Sequence, residues 1–93
     1  MQPNDWREKL IMGRHHIRKD WGHCALETSY WADSACVLIL SMGDLESLAA
    51  RCRWTTTRAA AALANAATAG WLAPLEWGPR GELRTALRVP EGV

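Results

Sequence analysis

Apolar residues near the N-terminus follow the spacing of one helix face. They are Trp6, Leu10, Ile17 and Trp21. Asn4 or Asp5 can cap such a helix. We therefore predict a helix over residues 5–20, with a break allowed at Gly13 because glycine costs about 1 kcal/mol relative to alanine inside a helix. Gly22 is predicted to end this helix.

The next apolar stretch fits two interpretations. Apolar residues at positions i, i+4, i+7, i+8 and i+11 predict an amphipathic helix over residues 29–42, capped by Thr28 or Ser29 and ended by Gly43. The run Val37–Leu40 also fits a short buried strand, because periodicity alone does not separate the two at this length. The longer match favours the helix.

Two helices with a tight corner between them are predicted next. Asp44 caps the first, whose buried stripe is spaced i, i+3, i+4 and i+7. The members of this stripe are Leu45, Leu48, Ala49 and Cys52. Arg53 and Trp54 form the corner, and Thr55 caps the second helix, which Gly70 ends. The inward residues of the second helix are predicted to be Ala59, Leu63 and Ala66.

Beyond Gly70 the apolar period changes from about 3.6 to 2, which is typical of strands. The first strand is predicted over residues 71–77, with Pro74 confining it to an edge or a bend. Residues 78–81 form a turn. The apolar face of the second strand is predicted to contain Leu83, Thr85, Leu87 and Val89.

This order of elements resembles the winged helix-turn-helix family. The residues that carry the resemblance are Leu45–Cys52, Arg53–Arg58, Ala62–Leu63 and Ala69–Leu72. The resemblance spans roughly residues 44–89. It implies a mainly α fold with a small β-hairpin, in which a winged helix-turn-helix at residues 24–93 is preceded by an N-terminal helix in residues 1–23. In this family the longer helix enters the major groove of DNA and the wing touches the backbone or the minor groove.

Charge is unevenly distributed along the chain, although the net charge is only +1. Residues 1–23 carry five basic and three acidic side chains, and residues 24–50 carry four acidic side chains and no Lys or Arg. Residues 51–93 carry six arginines and three acidic side chains. Basic ends and an acidic middle predict a polarised surface. Arginines around the second helix and in the wing would supply phosphate contacts, which fix register without reading bases.

The resemblance therefore implies a non-enzymatic protein that binds duplex DNA, as a transcriptional regulator, through a helix at residues 55–69 and a wing at residues 71–89. The side chains implied in DNA contact are Arg51, Arg53, Thr56, Thr57, Arg58, Arg80 and Arg84. The outward helix face departs from the family, because it carries alanines where side chains that hydrogen-bond to base edges are usual. Alanine can only touch the methyl group of thymine.

The same alanines support an alternative function. A nearly uncharged face formed by Ala60, Ala61 and Ala64, with Trp77 beside the wing turn, would suit close packing against another protein. In this interpretation the chain is an adaptor, or a phage- or plasmid-encoded inhibitor of host machinery. The alanine run also fits helix propensity alone.

The apolar stripe of the first helix allows two roles, because a winged helix does not need it. The stripe either forms the contact of a homodimer or packs the helix on its own domain. Its members are Trp6, Leu10, Ile17 and Trp21.

No cofactor, metal or membrane association is expected. The histidine-rich segment 15–24 lacks the paired spacing of a structural zinc site, and no nucleophile lies in a catalytic motif. Three widely spaced cysteines and no secretory segment favour a reducing, cytoplasmic setting. The apolar stretch 59–75 is mostly alanine and contains Asn65, so it is too weakly apolar to span a bilayer.

Overall fold

Five α-helices and three short strands make up the chain in the computed structural model, which describes residues 1–93. The helices are α1 (Pro3–Met12), α2 (Arg14–Ile17), α3 (Asp20–Thr28), α4 (Met42–Cys52) and α5 (Thr56–Thr68), with a 3-10 turn at Ser29–Trp31. The strands are β1 (Val37–Leu40), β2 (Glu76–Trp77) and β3 (Leu83–Ala86). They form one antiparallel sheet in the order β1-β3-β2. This mainly helical architecture with a small sheet is compatible with a winged helix.

The N-terminal segment is three helices rather than the one predicted over residues 5–20. The break at Gly13 is confirmed, since α1 ends at Met12 and α2 begins at Arg14. The prediction for Gly22 is wrong, because this glycine lies buried inside α3. A Cβ atom at position 22 would overlap the backbone carbonyl of His16, so the absent side chain lets α2 and α3 approach closely.

The N-terminal helices share one core with the rest of the chain. Trp6 and Leu10 are fully buried, and the Trp6 indole N–H lies 3.1 Å from the carbonyl oxygen of Trp71 and 2.8 Å from that of Arg88. Packing of the helix on its own domain is therefore the role that the structure gives this stripe. The predicted homodimer contact is wrong for Trp6 and Leu10, which have no exposed surface to offer a second copy. Ile17 and Trp21 are partly buried against the same core.

The helix predicted over residues 29–42 is wrong, and the alternative strand at Val37–Leu40 is correct. Leu38 and Leu40 are fully buried, whereas Val37 and Ile39 are exposed, as expected for a strand with one face on the core. The Asp33 carboxylate accepts the backbone N–H groups of residues 35 and 37, at 2.9 Å each, and so turns the chain into the strand. Pairing with β3 thus outweighs the helical spacing of the apolar residues.

The two predicted helices and their corner are present as α4 and α5, with one correction. Ser41 rather than Asp44 caps α4, since the Ser41 hydroxyl accepts the Asp44 N–H and the Asp44 carboxylate accepts the Ser41 N–H. Arg53 adopts left-handed geometry at the corner, with φ of 57°. The Thr55 hydroxyl caps α5 as predicted, by accepting the Arg58 N–H at 3.1 Å. None of the helices combines the length and the apolar character needed to cross a bilayer.

The C-terminal hairpin follows the prediction closely, although its first strand is shorter than predicted. Residues 71–75 precede β2 and make only an isolated bridge, Leu72 to Leu87, because Pro74 has no N–H to donate. The turn at residues 78–81 is present, and Gly81 has a positive φ of 77° there. The side chains of Leu83, Thr85 and Leu87 face the core as predicted. Val89 is only partly buried and lies beyond β3, which ends at Ala86, so the second strand is also shorter than predicted.

Candidate functional site

The outward face of α5 is exposed, and the sequence predicted it as a contact surface. The buried stripe of this helix contains Ala59, Ala62, Leu63 and Ala66. The residues opposite it lie at the spacing i, i+4, i+7 and i+11, and all four are exposed. We call them the α5 outward face: Thr57, Ala61, Ala64 and Thr68. No member is charged, and every side chain ends in or consists of a methyl group.

A groove of about 480 Å³ runs between α5, the start of α4 and the hairpin turn. We call it the α5–hairpin groove, and its lining is Met42, Leu45, Glu46, Thr56, Thr57, Ala60, Trp77 and Gly81. Glu46 is the one charged residue of this lining. Met42 and Trp77 are each more than half exposed, at 58% and 53%. Two large apolar side chains on the rim are therefore free to contact a ligand.

Trp77 also lines a second depression, farther along α5. This depression has a volume of about 430 Å³, and its lining is Ala64, Ala67, Thr68, Pro74, Leu75 and Trp77. The residues of the predicted protein-binding face thus stand on one side of the molecule. Ala60 and Ala64 lie on either side of Trp77, and Ala61 lies on the adjoining outward face.

The hairpin turn brings two free arginines to the same end of the molecule. Arg80, Arg84 and the acidic Glu82 line one depression together with Met42, which itself belongs to the α5–hairpin groove. Both arginines are exposed, and no carboxylate lies within 4.0 Å of either guanidinium. The Arg80 backbone N–H donates to the Glu82 carboxylate at 2.9 Å, which helps to fix the turn. Thr56 and Thr57 therefore lie on one side of Met42 and Arg80 and Arg84 on another, and the contact of these four residues with DNA stays a prediction.

Two of the other predicted DNA-contacting arginines point towards α3. The Arg58 guanidinium lies 2.6 Å from the Asp20 carboxylate and 4.5 Å from the centre of the Trp54 ring. The Arg51 guanidinium lies 3.4 Å from the Glu27 carboxylate and 5.6 Å from the centre of the Trp31 ring. Each arginine is thus held within the chain by an acidic residue of α3 and a tryptophan. The structure does not bring Arg51 and Arg58 together with the hairpin arginines. Arg53 is exposed at the left-handed corner.

The ionisable groups with altered pKa values either lie away from this surface or, in the case of Asp44, belong to the N-terminal cap of α4. Burial raises the pKa of the Cys24 thiol to about 12, with the neighbouring Cys52 adding to the effect, and burial also raises the pKa of Cys52. Both thiols are therefore protonated at neutral pH and are poor nucleophiles. The backbone hydrogen bond from Ser41 holds the pKa of the Asp44 carboxyl below its usual range, which keeps the α4 cap charged.

His16 is the titratable group most closely tied to packing of the N-terminal helices. Its ring lies 5.2 Å from that of Trp71 and 5.6 Å from that of Trp21, and its Nδ1 atom is buried without a hydrogen-bond partner. Burial lowers the pKa of His16, and the nearby His15 and Lys19 lower it further. The neutral ring is the form that this packing favours.

Sequence reasoning missed Met42, Glu46 and Gly81 as parts of the groove. The helix predicted over residues 29–42 places Met42 in its last turn, whereas Met42 is the first residue of α4. The pattern Ser41-x-x-Asp44 was the available signal, because a serine followed three residues later by an acidic residue marks a helix start. Gly81 approaches Met42 so closely that a Cβ atom there would lie 3.0 Å from the Met42 sulfur.

Comparisons of the chain with protein-family models, with curated proteins and with solved structures returned no match.

Proposed function

We propose that the chain is a winged helix-turn-helix protein that binds duplex DNA and acts as a transcriptional regulator. In this proposal α4 and α5 are the helix-turn-helix, α5 enters the major groove, and the β2–β3 hairpin is the wing. The element order β1-α4-α5-β2-β3 and the sheet order β1-β3-β2 support it. The observation that carries it is the α5–hairpin groove, in which Thr56 and Thr57 meet the hairpin turn at Gly81.

The charges around this groove fit a phosphate backbone. Arg80 and Arg84 in the hairpin and Arg53 at the left-handed corner are exposed, and no carboxylate lies within 4.0 Å of their guanidinium groups. Glu76 is the register partner of Arg84 in the β2–β3 pair. Thr56 and Thr57 stand in the first turn of α5, where backbone N–H groups lack helical partners and favour an anion. Hydroxyls, backbone N–H groups and arginines are the usual donors to phosphate oxygens.

Arg51 and Arg58 take a supporting role in the proposed complex. Their partners Glu27 and Asp20 are surface residues of α3, and exposed ion pairs contribute only about 0–1 kcal/mol. These pairs link α3 to α4 and α5 at the surface. They also neutralise the charges of two arginines that are predicted to contact DNA.

Binding of a random duplex tests the proposal. A fluorescently labelled duplex of about 30 base pairs is titrated with the protein at about 50 and 200 mM salt, and anisotropy is recorded. Micromolar binding that falls steeply with salt is expected, because phosphate contacts release counterions. The variant Arg80→Ala/Arg84→Ala should reduce the log–log salt slope by about two units. The matched control is Arg14→Ala/Arg18→Ala, which removes two exposed arginines of the N-terminal helices and should leave the slope unchanged. No binding at low salt would reject the proposal.

A protein ligand is the second candidate, favoured by the exposure of Met42 and Trp77 on the groove. An amphipathic helix of another protein would lay its apolar face between these side chains and the alanines of α5. Ala61→Arg separates the two candidates. This substitution should block close packing of a helix, whereas DNA binding that depends on the backbone should persist or strengthen.

A further inference from the structure

Trp77 differs from every other aromatic residue of the chain because its ring has no partner. Trp6 and Trp71 contact each other, with ring centres 5.9 Å apart, and the Trp21 ring lies 5.6 Å from that of His16. The other three rings lie below guanidinium groups at 4.5–5.6 Å: Tyr30 below Arg7, Trp31 below Arg51 and Trp54 below Arg58. Trp77 makes no such contact, although it is the most exposed tryptophan, at 53%.

Glu46 brings an unpaired negative charge to the groove that Trp77 lines. No nitrogen of a basic side chain lies within 4.0 Å of its carboxylate. The lining of the α5–hairpin groove contains no basic residue, since Arg80 and Arg84 belong to the neighbouring depression. The groove therefore combines a half-exposed indole ring with a carboxylate that no cation of the chain neutralises.

These groups suit a ligand that is both apolar and positively charged. The face of an indole ring attracts a cation, and an exposed contact of this kind changes an equilibrium constant by about two- to fivefold. Met42 and Leu45 add apolar surface, and the hydroxyl groups of the threonines in the lining can accept hydrogen bonds from an ammonium group. A volume of about 480 Å³ lies within the range of sites for small molecules, about 300–1,000 Å³.

We propose that the α5–hairpin groove binds a small organic cation, in which an aromatic or branched alkyl body carries one ammonium group. The ammonium group lies between the Glu46 carboxylate and the Trp77 ring. The body of the ligand packs on Met42 and Leu45. This ligand site goes beyond the proposed DNA binding, and its occupancy is measured without DNA.

Three compounds with one shared body test the charge of the ligand. The probes are para-tert-butylbenzylammonium, the matching neutral benzyl alcohol and the matching anionic benzoate. Each is titrated at pH 7 into the 15N-labelled protein, and the indole N–H signal of Trp77 is followed. The ammonium compound should bind with a Kd below about 1 mM. It should bind about fivefold more tightly than the alcohol, and the benzoate should bind most weakly.

Two results of this titration would overturn the proposal. One is equal or tighter binding of the alcohol or the benzoate, which would show that the groove does not select a positive charge. The other is a Trp77 signal that none of the three compounds shifts.

A substitution at Glu46 locates the charge preference in the groove. Glu46→Gln should lower the affinity for the ammonium compound to that for the alcohol and should leave the affinity for the alcohol unchanged. Glu8→Gln, at an exposed position of α1, is the matched control and should keep the fivefold preference. Equal losses in the two variants would contradict a site at Glu46.

A substitution at Trp77 tests the aromatic contact separately. Trp77→Leu keeps an apolar side chain and removes the ring, so the affinity for the ammonium compound should fall by about threefold. The Met42 methyl signal reports binding in this variant. Trp54→Leu is the control, because Arg58 already covers that ring, and it should bind as the parent protein does. Thermal unfolding of each variant checks that it is folded. An unchanged affinity in Trp77→Leu would contradict the contact.

Discussion

The two sides of α5 use the same residue types in opposite ways. On the side facing α3, Arg58 is paired with Asp20 and stacked on Trp54. On the side facing the hairpin, Trp77 is half exposed and no carboxylate lies within 4.0 Å of the Arg80 guanidinium. Tryptophan and arginine therefore stabilise the fold on one side and remain available on the other. The comparison teaches that availability, rather than residue type, separates a structural arginine from a candidate contact.

A negative charge on the outward face should have the largest effect on DNA binding. Ala61→Glu places a carboxylate opposite the phosphates and bases of the major groove, and like charges at an interface cost several kcal/mol. We expect affinity for duplex DNA to fall by more than about a hundredfold. The same substitution at Ala69, an exposed alanine at the C-cap of α5, should change affinity by only a few-fold. Similar losses in both variants, measured by anisotropy, would erase the distinction between the two sides.

Removal of the free arginines should have the next largest effect. Arg80→Ala/Arg84→Ala should weaken duplex binding by about tenfold near 100 mM salt, because two phosphate contacts are lost. Arg51→Ala/Arg58→Ala should weaken binding less, since these arginines are already neutralised by Glu27 and Asp20. A larger loss from the second pair than from the first would reverse the account.

Neutralising the groove should strengthen binding slightly. Glu46 is the one charged residue that lines the α5–hairpin groove, and its carboxylate repels phosphate. Glu46→Gln should therefore raise the affinity for duplex DNA by about threefold at low salt, with less gain as salt rises. Glu8→Gln on α1 is the control and should have no effect. A loss of affinity in Glu46→Gln would show that the carboxylate takes part in binding.

Acidification should act on the N-terminal helices and not on the binding face. Because the folded-state pKa of His16 is lowered, its contribution to stability is full above the ordinary histidine pKa of about 6.5 and is lost as the pH falls below that value. Thermal unfolding at pH 7.5 and 5.5 should show a lower Tm at the lower pH, with part of the decrease due to this group. His16→Gln should remove that component, whereas His23→Gln, an exposed position, should keep it. Equal pH dependence in both variants would contradict the role of His16.

Local signals in the sequence predicted the second half of the fold well. Thr55 as a cap, Leu45 and Leu48 on the buried stripe, and the alternation of β3 all depend on residues a few positions apart. Such patterns reflect backbone hydrogen bonding and burial of one face, which operate locally. Local patterns predicted the positions of candidate site residues only where those residues belong to α5 or the hairpin.

The errors arose where distant parts of the chain decide the outcome. Val37–Leu40 became a strand because β3, more than forty residues away, offers it a partner. A glycine occupies position 22 inside α3 because the backbone of α2 leaves no room for a side chain there, and no local sequence pattern reveals this contact. Arg58 is predicted to contact DNA, but its guanidinium bonds to Asp20, 38 positions earlier in the chain. Pairing of charges between helices depends on the tertiary structure. The number of arginines in the sequence therefore overestimates how many unpaired basic groups the surface carries.

Indole resonances offer the most direct test of the central claim, that DNA binds the hairpin side of α5. The 15N-labelled protein is titrated with the random duplex, and the indole N–H signals of its six tryptophans are followed, with Trp77→Phe and Trp54→Phe used for assignment. We predict that the Trp77 signal shifts or broadens in proportion to binding while the Trp54 signal, on the α3 side, stays in place. A shift of Trp54 with Trp77 unchanged would contradict the account.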